Sequence, residues 1–268
     1  PSAPGDTPGP NGRIDRRLYV EGAEKALQVL HAFRNQPRPL SMTDVAQTTG
    51  IGRSAAQRFL YTLNVLGYIR QEPSTRRYTL SPRVLDFGFA YLRNDALIET
   101  AFPYLLEASK RTDETVNLTE PDDTEVIYVS RLPSRNVISV DIVLGQRLPL
   151  FCTAPGRAML AGFPATRTAA ILKCTDRQAR TSFTFTDLSA IEAELARICE
   201  KGYAVSAQET FIGDLSVAAA VRDHNGEVVA AVNIAVPHPR WSTEQAESTL
   251  APVVLETARA ISKALGNQ

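Results

Sequence analysis

Arg53, Ser54, Gln57, Arg58 and Tyr61 fall at helical spacing, so one polar face of a single helix would carry two guanidiniums, an amide and two hydroxyls. That chemistry suits the polar edges of nucleic-acid bases, because arginine can bond guanine through two hydrogen bonds and glutamine can do the same for adenine. Arg76 and Arg77 follow beside a turn and are placed for phosphate or minor-groove contact. Any one of these side chains could equally be solvating a helix surface. The set together is what points to polyanion recognition. The other reactive residues point nowhere in particular. Cys152, Cys174 and Cys199 are widely spaced, with no C-x-x-C pair, and His31, His224 and His238 do not stand at metal-ligand spacing. No metal and no cofactor is expected, and a thiol nucleophile would lack an evident partner base.

The elements that must hold the basic face can be read on either side of it. Ala23, Ala26, Leu27, Leu30 and Phe33 recur at helical spacing until Pro37 and Pro39. Ser41 then stands as an N-cap with Asp44 three residues on, which approximates a capping box, and this second helix closes at Gly50. After the turn Thr49-Gly50-Ile51-Gly52, a third helix over 53–66 is expected to bury Ala56, Phe59, Leu60, Leu63 and Leu66. A helix, a glycine-containing turn and a second helix form the unit that lays its second helix in the major groove of DNA, with Ser41 and Thr43 of the first helix bracing the backbone. Gly67 stops the third helix, and strands about 68–70 and 77–80 around Pro73-Ser74-Thr75 give a wing.

Charge supports this division. The formal net charge is +0, but residues 13–83 hold 12 Lys and Arg against 5 Asp and Glu, whereas 84–268 hold 17 against 23. A basic block on an otherwise acidic chain is the footprint of a module that neutralises phosphates. Four expected regions follow: a disordered, Pro- and Gly-rich tail at 1–14, a winged helix-turn-helix at 15–81, a linker helix at 82–96 and a larger domain at 97–268. The linker is apolar over more than one stripe (Val84, Leu85, Phe87, Phe89, Ala90, Leu92), so it wants a partner and suggests dimerisation. No apolar run is long enough to span a membrane and no secretory pattern stands at the start, so a cytoplasmic protein is expected.

Beyond residue 95 the pattern is mixed. Helices are expected at about 97–112, from 155, at 166–173, 188–201 and 242–265, and strands at 115–119, 126–131, 137–142, 203–206, 215–222 and 228–236. Helices bracketing an antiparallel sheet make an α+β domain.

The segments EGAEKALQVLHAF, LSMTDVAQTTGIGRSAAQRFLYTLNVLGYI, RRYTLSPRVLDFG, GQRLPLFCTAPGRAMLA, GYAVSAQETFIGDLSVAAAVRD and GEVVAAVNIAVP resemble, in order, the IclR-type family of bacterial transcription factors. The likeness runs from about Tyr19 to Leu265. Within the family, AYL at 90–92, RLPSRNVISVDIVLGQRLP, TAPGR and NIAVPHPR look most like the branch controlling protocatechuate, 4-hydroxybenzoate and β-ketoadipate pathway genes. The resemblance implies a GAF-like effector domain, binding to double-stranded operator DNA, homodimers or dimers of dimers, and no catalytic activity.

It also implies a cup for a small organic-acid effector, whose walls fall on Thr153, Ala154, Pro155 and Gly156, then Ser206, then Asp214 and Ser216, then Asn233 and Ala235. Backbone N–H groups of Gly156 and Arg157 at a helix start could hold the anion, and Arg131 and Arg147 could either pair with it or be spent on structural salt bridges. Ser206-Ala207-Gln208 stands where family members often carry a further acidic residue ahead of Glu209, and a less acidic pocket would suit an acid. Two other readings stay open: a regulator answering a glyoxylate- or pyruvate-like effector, and a repressor that needs no ligand. An enzyme would need a constellation that is not here: there is no G-K-[ST] nucleotide loop, no G-x-S-x-G, and no carboxylate pair beside a histidine.

Overall fold

The computed structural model describes residues 15–34, 36–135 and 142–267, and divides into two compact units between Ala90 and Tyr91. The expected tail at 1–14 and most of the expected strand at 137–142 lie outside the described residues.

The first unit packs α1 (Glu21–His31), α2 (Met42–Thr49) and α3 (Arg53–Val65) around Val29, Phe33, Leu40, Val45, Leu60, Leu63 and Ile69. Ser41 and Asp44 form the expected reciprocal cap: the Asp44 N–H donates to Ser41 Oγ at 3.1 Å and the Ser41 N–H to Asp44 Oδ2 at 2.8 Å. Gly50 ends α2 at φ +71°, a left-handed conformation that any side chain would strain. Two contributors to the core differ from expectation. Leu27 is exposed and Val29 takes its place, and Leu66, just past α3, is also exposed. The apolar residues of α1 fit more than one stripe, and packing against α3 selects the stripe that contains Val29.

Strands β1 (Ile69–Gln71) and β2 (Tyr78–Leu80) pair antiparallel, and Leu40 bridges to Tyr78 on the other side of β2. A 3₁₀ turn, Pro82–Val84, leads into α4 (Leu85–Asn94), and Asp95 caps the next helix by accepting from the Ile98 N–H. Leu85, Phe87 and Phe89 of α4 are exposed.

The second unit contains α5 (Ala96–Thr112), β3 (Thr115–Asp122), β4 (Glu125–Leu132), β5 (Arg147–Pro149), α6 (Ala154–Gly162), α7 (Ala165–Cys174), α8 (Leu188–Lys201), β6 (Ala204–Ala207), β7 (Asp214–Arg222), β8 (Val228–Pro237) and α9 (Thr243–Ala264). The six strands form one antiparallel sheet in the order β5-β4-β3-β8-β7-β6. Alternation along the strands divides its faces. Val116, Leu118, Val217, Val232 and Ile234 pack with α5 and α9, while Ala204, Ala218 and Ala231 face α6 and α8. The three-residue β5 is absent from the sequence reading. It ends in proline, which suits the sheet edge it occupies.

Candidate functional site

In the first unit, α3 buries Ala56, Leu60 and Leu63, which turns Arg53, Ser54, Gln57, Arg58 and Tyr61 outward together, with Thr43 of α2 exposed as well. Ser41 is half-buried and its oxygen accepts the capping bond, although its hydroxyl proton stays available to a phosphate. On the wing the two arginines part company. Arg76, at φ +58°, is exposed. Arg77 turns inward instead, donating to the Pro39 carbonyl at 2.9 Å and to Asp44 Oδ2 at 3.3 Å. Arg77 Nη1 thus clamps the wing onto α2, while the side chain keeps 40% of its surface exposed.

In the second unit, strand register brings the strand residues expected to line the cup onto the face that looks toward α6. Ser206 pairs with Ser216, Ser216 with Ala235, and Ala235 with Thr115; one step along, Ala218 pairs with Asn233, Asn233 with Asn117, and Asn117 with Arg131. The two rows lie two residues apart on each strand, so their side chains share one face. Asp214 belongs to the same alternation on β7.

Hydrogen bonds commit some of these groups and leave others open. Ser206 Oγ and Thr210 Oγ1 both donate to the Cys152 carbonyl, at 3.2 and 3.1 Å. Asn233 Nδ2 donates to Ser216 Oγ at 2.9 Å, and Arg131 Nη1 donates to Asn117 Oδ1 at 3.4 Å. Among the described residues, the other end of each amide, the Asn117 Nδ2 donor and the Asn233 Oδ1 acceptor, is buried with no partner. Buried polar atoms are rarely left unpaired, because each costs about 1–3 kcal/mol.

The expected anion hold at the start of α6 is corrected. Thr153, Ala154, Pro155 and Gly156 are where the resemblance put them, but the Gly156 N–H donates to Thr153 Oγ1 at 3.2 Å and the Arg157 N–H to the Thr153 carbonyl at 2.9 Å. Both donors are spent on the helix cap. Close packing requires a glycine at position 156, since a Cβ there would lie 2.3 Å from the Leu150 carbonyl oxygen. The Arg157 side chain, also buried, pairs with Glu209.

Burial pushes the Asp214 carboxyl up to about 7, against the opposing pull of the Leu215 N–H and Arg131. Burial likewise raises the nearby Tyr128 hydroxyl, and pushes the Cys152 thiol up to about 11, which makes it a poor nucleophile at neutral pH. Arg147 is engaged by Glu125 at 2.8 Å and by Asp122, the salt-bridge use. No cluster of three or more His, Cys, Asp or Glu side chains among the described residues could hold a metal ion. No described helix is long and apolar enough to cross a membrane.

Asn117 was not among the sequence candidates. A lone asparagine in an apolar strand is a weak sign by itself, and only its register opposite Asn233 gives it a role.

Known proteins share both units. A family model described as bacterial transcriptional regulator IclR C-terminal matches residues 89–263, and one described as IclR helix-turn-helix domain matches 22–73. The Pca regulon regulatory protein of Pseudomonas putida is 33% identical over 242 residues, covering 90% of this chain and 82% of that protein. The HTH-type transcriptional regulator KdgR of Escherichia coli is 29% identical, covering 96% and 97%. Among solved structures, the IclR protein of Thermotoga maritima superposes with a TM-score of 0.69 at 28% identity, covering 92% of this chain and all 100% of that one.

Proposed function

The chain belongs to the IclR family of bacterial transcriptional regulators, and from that premise we propose that it binds operator DNA as a homo-oligomer under the control of a small organic acid of aromatic catabolism held in the cup of its second unit. The observation that carries the ligand reading is the pair of unpartnered buried atoms on directly paired residues, a donor at Asn117 and an acceptor at Asn233. A hydroxylated aromatic acid offers the complement: carboxylate oxygens that accept from Asn117 Nδ2, with Arg131 beside it, and a hydroxyl that donates to Asn233 Oδ1. A carboxyl at Asp214 that is neutral below about pH 7 can share the site with an anion. The likeness to the Pca regulon regulatory protein supports the same branch of ligands.

The DNA reading is carried by the outward face of α3 with Arg76 on the wing. Oligomerisation is supported by the exposed Leu85, Phe87 and Phe89 of α4, which a second chain would cover.

Titration calorimetry with protocatechuate, 4-hydroxybenzoate, β-ketoadipate and glyoxylate, combined with footprints of the operator with and without each, tests the proposal. An aromatic acid should give saturable heat and alter the footprint. Absence of heat and of any thermal shift with all four would sink it, and a response to glyoxylate alone would move the chain to a different effector class.

A further inference from the structure

At the far end of β7 from the cup, the sheet has a gap. β6 pairs with β7 only from Leu215 to Ala218, yet β7 continues to Arg222, so its last residues lack a β6 neighbour. A cavity of about 520 Å³ opens there, between α6 and α8 on one side and α9 on the other. Gly162 and Ala220, with little or no side chain, line it. A side chain at position 162 would meet Val228 Cγ2 at 2.6 Å and Arg222 Nη2 at 3.1 Å, so the glycine is what lets the Arg222 guanidinium lie in the cavity wall.

The wall is cationic. Arg222 comes from β7, and Arg259 and Lys263 stand one turn apart on α9, while no acidic residue lines the cavity. None of the three is paired with a carboxylate among the described residues. Arg222 Nη1 donates to the Gly226 carbonyl, and Asp223, the acid next to it in sequence, accepts instead from the Asn225 and Glu227 N–H groups of its own turn. Three unneutralised cations gathered in one concavity run against the acidic balance of this part of the chain, and a concave wall of one sign concentrates ions of the other.

We propose that this cavity is a second ligand site, separate from the cup, for a small organic polyanion such as a phosphate ester or a polycarboxylate. Ala218, the β7 partner of Asn233 in the cup, and Arg222 in the cavity are four residues apart on β7, about 14 Å, so the anchoring groups of the two sites are held apart. Both sites abut α6, the cup at its start and the cavity at its end.

Calorimetry of the full chain at low salt with citrate and with pyrophosphate tests the site and separates the two sources of charge. Saturable binding of one equivalent per chain is expected, weakened about tenfold or more in R259A/K263A, whose exposed positions leave the fold intact, and unchanged in the cup variant N233A. Cys199 lines the same cavity and is exposed, so a bound polyanion should slow its alkylation while leaving that of Cys174 unaltered. Binding that R259A/K263A does not weaken, no saturable binding of either probe, or unprotected Cys199 at saturation would each overturn the proposal.

Discussion

Arg157 and Glu209 form a doubly bonded ion pair inside the second unit, with both Nη-to-Oε contacts at 2.6 Å and both side chains almost completely buried. Arg157 Nε also donates to the Phe151 carbonyl, and the guanidinium lies 5.1 Å from the centre of the Phe185 ring. The pair fastens α6 to the segment after β6 and holds Thr210 and Ser206 against the Cys152 carbonyl at the edge of the cup.

Breaking that pair from one side should be severe. Arg157→Met strands a buried carboxylate and should cost about 3–5 kcal/mol in urea denaturation, whereas R157M/E209L should recover most of the loss. A single substitution costing under about 1 kcal/mol would show that water reaches the pair.

The Asp214 carboxyl gives stability a definite dependence on pH. Its folded value of about 7 lies above the ordinary 3.8, so between these the folded chain holds a proton that the unfolded chain has released. Its contribution is therefore full below about pH 4 and is lost as pH rises through about 7. Asp214→Asn should flatten this part of the curve in denaturant titrations at stepped pH. The same substitution should remove a loss of acid-ligand affinity above pH 7.

Asn117→Ala and Asn233→Ala should each weaken the effector about tenfold, the worth of one hydrogen bond in a dry site. Operator affinity without ligand should stay at the wild-type value. If both variants bind the acid normally, the ligand lies elsewhere.

On DNA, Arg58→Ala and Gln57→Ala should relax preference at individual base positions at about 1–3 kcal/mol each, while Arg76→Ala should lower the salt dependence of binding by about one counterion without changing preference. Arg77→Ala should behave differently, destabilising the first unit by about 1 kcal/mol through loss of its bonds to Pro39 and Asp44. Footprints at stepped salt, with thermal melts of the same variants, separate these outcomes.

Local chemistry made much of this legible from sequence. Ser41 with Asp44, Gly50 and the spacing along α3 define the helix-turn-helix because each acts over a few residues. Tertiary choices were not local. Nothing near Arg77 in sequence says that its guanidinium turns to Pro39, and Leu27 and Val29 compete for the core on equal terms until α3 packs. The cap of α6 is local as well: Thr153 stands three residues before Gly156, the spacing of a side-chain cap, and a capped N–H is no longer free for an anion. Asn117 needed the register of β3 against β8, which a strand pattern alone does not contain.

The short β6 also bears on how the chain avoids joining strands with its neighbours. An uncovered strand edge is a template for aggregation, and β7 outruns its partner by four residues, Ala219 to Arg222. Ser262 of α9 accepts the Arg222 N–H at 2.9 Å, which removes a donor that an incoming strand would use. Arg222, Arg259 and Lys263 of two molecules approaching through this gap would confront one another with like charges, which disfavours strand pairing there.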